Sequence, residues 1–343
     1  MEELKMARFA NICIVFFLAL AFSACGGSTS VSPIGPSPSP VEPPIPSIWT
    51  VAGQVVSNPS GAPVSGAAVT LAGLETIHSD GAGAFSISTQ NAPLNNSRIN
   101  VSASGFLDRE TWLRSGPSRD NVKVDLISLA APFSLDFYRQ MVRNGYETTS
   151  LRSIFRRTSA PTFYVSTTDD KGSDLPQRDI DTIVSTIQRV VSQLTGGRFQ
   201  ATVQTGREKR QGGGDLISVE VTTDQTLGYC GRGTLSAITL LYGCTCDSNW
   251  KIAPALVAHE VGHTMGFWHV ANPDGVMYPY LNSRAGCTSS DFTLPEQLVA
   301  GIAYSRPNGN TDPDNDPDNF QIARIGGGEG ITSRCFPISS RFN

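Results

Sequence analysis

Residues 259–269 read HEVGHTMGFWH and contain three of the four histidines in the 343-residue chain. His259 and His263 are four residues apart, so on a helix their side chains project from one face, one turn apart. At that separation two imidazoles can each place a nitrogen ~2.0–2.1 Å from one zinc ion. Gly266 can adopt the left-handed conformation that ends a helix and turns the chain back. Because such a turn would bring His269 to the same ion, the stretch predicts a three-histidine zinc site.

Glu260 is the candidate catalytic residue of this stretch. On a helix it lies roughly 100° round from its neighbour His259, beside the metal rather than on it. Its carboxylate can there take a proton from a zinc-bound water. Three neutral nitrogens and a water leave one exchangeable position, which is the catalytic arrangement of zinc. A bare HExxH can arise in any amphipathic helix, but the five fixed residues together match by chance roughly once in a million. A zinc site is therefore preferred to a packed structural helix.

The stretch resembles the extended zinc signature HExxHxxGxxH of the metzincin metallopeptidases. Metzincins also have a methionine-containing turn beneath the metal, and residues 274–280, DGVMYPY, resemble that turn. Met277 follows His269 by eight residues, a spacing most similar to that of the matrixin branch. The resemblance implies that Met277 packs under the imidazoles without binding zinc, and that the chain hydrolyses peptide bonds. It is specific for residues 250–280 and only architectural for the rest of the protease half.

Composition and the first residues indicate an exported protein. A formal net charge of −4 argues against nucleic acid as a partner. Residues 1–24 read as an export signal, because the apolar run 12–22 is too short to span a bilayer stably. Residues 21–27, AFSACGG, resemble a bacterial lipobox, which implies a lipidated Cys25 and a cell-envelope lipoprotein whose only membrane contact is that anchor. Ordinary cleavage, releasing a secreted protein, is the alternative.

Five further cysteines follow Cys25, and in an exported protein they suggest disulfides. A bond between Cys246 and Cys287 would tie the entry of the zinc helix to the loop beyond the methionine turn. A bond between Cys230 and Cys244 could close a hairpin, which leaves Cys335 without a partner. Connectivity cannot be deduced from sequence, so these pairings are hypotheses. A cysteine zinc site is the alternative, but the pair at 244 and 246 lacks the usual two-residue spacing.

The N-terminal half divides by composition. Residues 25–47 are a Pro/Ser-rich stretch, which predicts an extended tether. Residues 48–129 contain short alternating segments between turn signals, which predict a small β-sandwich. The predicted strands are 49–56, 68–72, 84–88, 99–103 and 122–126. Turn phrases such as Ala62-Pro-Val-Ser-Gly-Ala-Ala-Val resemble the carboxypeptidase regulatory-like, transthyretin-like domain, with a spacer role preferred to glycan or protein binding. His78 in this part is predicted to be an ordinary surface residue.

Residues 130–160 read as a connector with one helix near 133–144, and residues 161–306 as the peptidase domain. The predicted strands of that domain are 162–168, 198–204, 216–222 and 234–242, and its helices are 175–194, one from about 252, and 296–303. This order is similar to that of metzincins. The predicted fold class is multidomain, an all-β sandwich followed by an α+β metzincin-like (zincin) catalytic domain. By position, residues 234–241 are the candidate edge strand for an extended substrate.

Residues 307–343 are predicted to be an acidic linker and a C-terminal tail. Asp312, Asp314, Asp316 and Asp318 alternate with proline and asparagine, and the run looks like a calcium loop. Pro317 stands where such a loop requires glycine. A solvated linker is therefore the prediction, and a structural Ca²⁺ site is the alternative.

These observations predict an exported zinc endopeptidase acting on a polypeptide substrate. No cysteine lies between Cys25 and Cys230, so a matrixin-type cysteine switch is absent. Inhibition by the connector through another route and removal of the connector are both open. Limited trypsin cleavage after Arg156 or Arg157 would distinguish a latent enzyme from a protein without activity. The rival classes are a non-catalytic surface adhesin with a vestigial zincin domain and a small-substrate hydrolase. Glu260 counts against the adhesin, because the histidines alone would bind metal. Residues 282–291 are expected to set side-chain preference.

Overall fold

The computed structural model describes residues 48–90, 97–113, 119–244, 251–280 and 290–320. Several predictions therefore lie outside the described residues: the export signal, the tether, the tail from residue 321, and the cysteines Cys25, Cys246, Cys287 and Cys335. Within the described ranges, no helix has both the length and the apolar character needed to cross a bilayer.

The described residues between 49 and 127 form two sheets around one buried cluster. The strands are β1 (Trp49–Asn58), β2 (Ala68–Leu71), β3 (Ile77–His78), β4 (Ala84–Thr89), β5 (Ser97–Ser102), β6 (Arg109–Leu113) and β7 (Arg119–Ile127). Their orders are β4-β1-β7 and β3-β2-β5-β6. Val55 and Val124 from the first sheet meet Ile99 from the second in the shared cluster. Every second residue of β5 is buried, as the period of two in a half-buried strand requires.

The five strands predicted in this part all occur, with ends that differ by a few residues. The sequence reading missed β3, which has two residues, and β6. In β6 the buried positions are Arg109, Thr111 and Leu113. An arginine and a threonine at core positions break the apolar alternation on which strand prediction depends. His78 is exposed, as expected, with Nδ1 3.3 Å from the carbonyl oxygen of Gly66.

The second half contains four helices and one sheet within the described residues. The elements are α1 (Leu135–Arg143), β8 (Thr162–Asp169), α2 (Gln177–Leu194), β9 (Thr202–Gly206), β10 (Leu216–Thr222), β11 (Gly231–Gly233), β12 (Ala237–Leu241), α3 (Pro254–Thr264) and α4 (Leu294–Tyr304). The sheet order is β11-β12-β10-β8-β9, and β11 alone pairs antiparallel. The helical spacing predicted for α2 is correct, because Ile183, Ile187 and Val191 on one face are completely buried.

The predicted edge strand is wrong. Residues 234–241 were expected at the edge of the sheet, but β12 lies inside it. In the described part of the chain the two edges are β9 and β11, and β11 is the edge that lies against α3. Gly231 and Gly233 make up most of β11, and glycine carries no strand signal. A disulfide between Cys230 and Cys244 joins the two ends of the β11–β12 hairpin, which is the pairing hypothesised for this hairpin.

The solvated linker predicted from residue 307 is also wrong for the described residues up to 320. Asp314 and Asp316 are 0% and 4% exposed. Arg306 Nε lies 2.7 Å from Asp314, and Arg109 Nη2 lies 2.7 Å from Asp316. These carboxylates are paired with guanidinium groups, so the structure does not support the calcium alternative. The sequence could not show this, because Arg109 lies in β6, far from the acidic run.

Candidate metal centre and cleft

The three histidines of residues 259–269 converge on one point. His259 Nε2 lies 3.1 Å from His263 Nε2 and 3.2 Å from His269 Nε2. Among the described residues, this is the group of His, Cys, Asp or Glu side chains arranged to hold a metal ion, with its ligand atoms within 4.8 Å of one another. Two of the histidines lie on α3, whose Leu256 and Val261 are buried against the core. The helix thus fixes their direction.

Burial keeps the two helical histidines neutral. It lowers the pKa of His259 to about 4 and that of His263 to about 3, and the neighbouring imidazole of His269 acts in the same direction. Near neutral pH each ring therefore has one nitrogen with a free lone pair. Their Nδ1 atoms lie 2.7 Å from the carbonyl oxygen of Val276 and 2.9 Å from that of Phe267. Donation from Nδ1 leaves Nε2 as the lone-pair nitrogen, which is the form that binds a metal.

Gly266 forms the turn after α3, as predicted. Its φ is +98°, a conformation that L side chains rarely adopt. Its N–H donates to the carbonyl of His263 at 3.0 Å, and the N–H of Phe267 donates to that of Gly262 at 3.0 Å. A Cβ at this position would also lie 2.8 Å from Cδ1 of Phe155. The chain reverses here, and His269 reaches the other two histidines.

Met277 lies under the helix, completely buried. A Cβ at Gly262 would collide with its sulfur, so the glycine allows this close approach. The N–H of Met277 donates to Glu296 Oε1 at 2.9 Å. Glu296 also forms a capping box of α4 with Thr293. One carboxylate therefore caps α4 and fixes the methionine turn, a second role that the capping motif alone did not reveal.

Glu260 lies between α3 and the sheet edge and is 3% exposed. Burial raises the pKa of its carboxyl to about 8, although a hydrogen bond from the backbone of Gly233 acts to lower this pKa. A Cβ at Gly231 or Gly233 would collide with Glu260. The two glycines are therefore what lets the edge strand lie directly against this carboxylate.

A cleft of about 540 Å³ opens at the histidines. The edge strand lines one side, and the turn from Gly275 to Tyr280 lines the other. Tyr280 at the rim is 67% exposed. A larger open depression of about 620 Å³ lies along α2, and none of the histidines lines it. Residues 282–289, most of the segment expected to set side-chain preference, lie outside the described residues.

Sequence reasoning missed Glu147, whose Oε1 lies 2.5 Å from His269 Nδ1. The segment that precedes it is tied to the same loop. The N–H of Trp268 donates to the carbonyl of Met141 at 2.7 Å, and the N–H of Ala271 donates to Gln140 Oε1 at 2.8 Å. Glu147 and His269 are 122 positions apart, so no local pattern could join them.

No family model matches the chain. Archaemetzincin from Methanopyrus kandleri is 14% identical over 45% of this chain and 100% of its own, with a TM-score of 0.33. Metalloproteinase-II from Bacteroides fragilis is 12% identical over 73% of this chain and 84% of its own, with a TM-score of 0.31. A chain of a cohesin–X-dockerin complex from Acetivibrio cellulolyticus is 20% identical over 22% of this chain, with a TM-score of 0.19, and this chain spans 51% of its length. These likenesses are too slight to assign a family.

Proposed function

We propose that this protein is an exported, metzincin-like zinc endopeptidase that uses Glu260 to activate water. The supporting observation is the convergence of three histidine Nε2 atoms beside this buried carboxylate, at an open cleft. The donor set fits zinc, because three imidazole nitrogens with room for a fourth ligand are typical of catalytic zinc sites. A bound Zn²⁺ supplies a Lewis acid for the scissile carbonyl and a bound water of lowered pKa.

The sheet edge offers a place for an extended peptide. Edge strands have unpaired backbone N–H and C=O groups, to which a peptide can add as a further strand. The glycines of β11 hold this edge against Glu260, so a peptide paired with it lies along the cleft with its backbone near the histidines. An open cleft beside a strand edge favours a polypeptide over a small substrate.

Glu260 carries the proton in this proposal. Its carboxylate takes a proton from the attacking water and passes it to the leaving amine, so no covalent intermediate is needed. Burial favours the protonated form, but a divalent cation at the histidines opposes this, because a nearby opposite charge favours the ionised carboxylate. The backbone hydrogen bond from Gly233 acts in the same direction as the cation.

Metal analysis combined with a protein-digestion assay tests this function. We expect about one zinc per chain, digestion that a chelator abolishes, and a Glu260→Gln variant that keeps zinc and loses most activity. Glu208→Gln is the matched control, because Glu208 is an exposed glutamate of the same half of the chain. A protein that binds no zinc would refute the proposal. Zinc binding without digestion would favour the non-catalytic surface protein instead.

The export part of the proposal has separate support. A disulfide between Cys230 and Cys244 fits an oxidising compartment. Lipidation of Cys25 stays a prediction. Mass spectrometry of the N-terminal peptide of the processed protein tests it, since cleavage elsewhere would leave an unmodified peptide.

A further inference from the structure

The third histidine is held differently from the other two. His259 and His263 lie on α3, and their Nδ1 atoms face backbone carbonyls. His269 lies beyond the end of the helix, so no helix fixes its direction. Its Nδ1 faces a side chain, the carboxylate of Glu147, at 2.5 Å. Its orientation therefore depends on a residue from the segment that precedes the sheet.

A carboxylate in this position has a defined effect on an imidazole. Accepting a hydrogen bond from Nδ1–H fixes the tautomer in which Nε2 carries the lone pair. A charged acceptor forms a stronger bond than a carbonyl and makes Nε2 a better donor to a metal. Glu147 thus fixes the orientation and tautomer of His269, as the helix and two backbone carbonyls do for the other two histidines.

The loop that carries Glu147 is itself well fixed. Asn144 ends α1 in the left-handed conformation, with φ 60°. The N–H of Gly145 then donates to the carbonyl of Arg139 at 2.9 Å, and the N–H of Arg152 donates to that of Arg143 at 2.9 Å. The ring of Tyr146 packs edge-on against that of His269, with centroids 6.4 Å apart. The contact of Glu147 therefore belongs to a built interface and is not an isolated surface pair.

We infer that Glu147 is a positioning residue for the metal centre, and that residues 135–152 complete this centre rather than mask it. The inference rests on the proposed zinc function. Removal of this segment should therefore weaken metal binding and should not activate the protein. Arg156 and Arg157, the trypsin sites considered from the sequence, are only 3% and 6% exposed. A protease would reach them poorly in the folded chain, which favours a mature protein that keeps residues 135–152.

Zinc affinity tests the inference without any measurement of digestion. The metal-free wild type, Glu147→Ala, Glu147→Gln and the control Glu208→Ala are each titrated with zinc against a chelator of known affinity. We expect Glu147→Ala to bind zinc about 10–100-fold more weakly, the usual effect of losing a hydrogen-bond partner of a metal ligand. Glu147→Gln should lose less, because its amide oxygen still accepts from Nδ1–H. Glu208→Ala should bind like the wild type.

Two results would overturn the inference. One is a Glu147→Ala variant with wild-type zinc affinity, and the other is an equal loss in Glu208→Ala, which would indicate a general charge effect. A wild type that binds no zinc would instead refute the proposed function. Unfolding midpoints of the metal-free proteins control for misfolding, and they should agree, because the Glu147 side chain is 40% exposed. The absorption spectrum of bound Co²⁺ should change in Glu147→Ala and be largely restored in Glu147→Gln.

Discussion

Replacement of Arg306 by methionine should destabilise the protein far more than loss of an ordinary surface ion pair. The guanidinium group is completely buried at the end of α4. It donates to both carboxylate oxygens of Asp314 at 2.7 and 2.8 Å, and to Asp125 Oδ2 at 2.6 Å. The substitution leaves Asp314 buried, with its nearest remaining donor an amide at 3.0 Å, from Asn310. Removing one partner of a buried pair costs about 3–5 kcal/mol, because the other charge stays desolvated.

Urea denaturation followed by tryptophan fluorescence measures this loss. The matched control is Arg98→Met, because Arg98 pairs with Glu110 at 3.2 Å with its side chain 49% exposed. An exposed pair is worth about 0–1 kcal/mol, so the control should change little. The double variant Arg306→Met with Asp314→Asn should recover part of the loss, since it removes the unpaired charge. An Arg306→Met protein no less stable than Arg98→Met would refute the argument from burial.

Three further predictions concern the site and its surroundings. Gly233→Ala should reduce digestion more than tenfold, since the new Cβ would lie 2.9 Å from Cβ of His263 and 3.0 Å from Oε2 of Glu260. Gly213→Ala, with open space around it, should leave digestion unchanged, and equal rates for both variants would contradict the prediction. Burial alone would raise the pKa of Asp125, but the guanidinium groups of its two arginine partners hold this pKa well below its usual range. Its contribution to stability is therefore present above the pKa of an unfolded aspartate, about 3.9, and is lost as pH falls below it. Urea titrations between neutral pH and pH 3 should show an acid loss of stability that is smaller in Asp125→Asn. Finally, a chelator should lower the melting temperature of the wild type, because zinc at ~1,000 times its dissociation constant adds about 4 kcal/mol. His263→Ala should melt at the same temperature with and without chelator.

The parts of the site that the sequence predicted are local. The positions of His259 and His263 on one helix face and the turn at Gly266 each depend on residues at most four apart. The contact of Glu147 with His269 and the ion pair of Arg109 with Asp316 join residues far apart in the chain. Such contacts depend on packing, and a single sequence carries no signal for them. The prediction of the edge strand failed for another reason. The glycines of β11 have low strand propensity, and a larger residue at their positions would collide with Glu260.

The buried ion cluster and the methionine turn contact opposite ends of α4, so stability and metal affinity should separate. Glu296 in the first turn holds the methionine turn, whereas Arg306 lies just beyond the last residue of the helix. At 1.5 Å per residue the two positions are ~15 Å apart, beyond the range over which substitutions usually couple. Arg306→Met should therefore reduce the free energy of unfolding while the folded protein binds zinc as before. Glu147→Ala should instead weaken zinc binding and leave the free energy of unfolding of the metal-free protein unchanged. The double variant should show both losses, each of the size measured in the corresponding single variant. A zinc affinity that falls in Arg306→Met alone would show that the buried ion cluster helps to hold the metal centre.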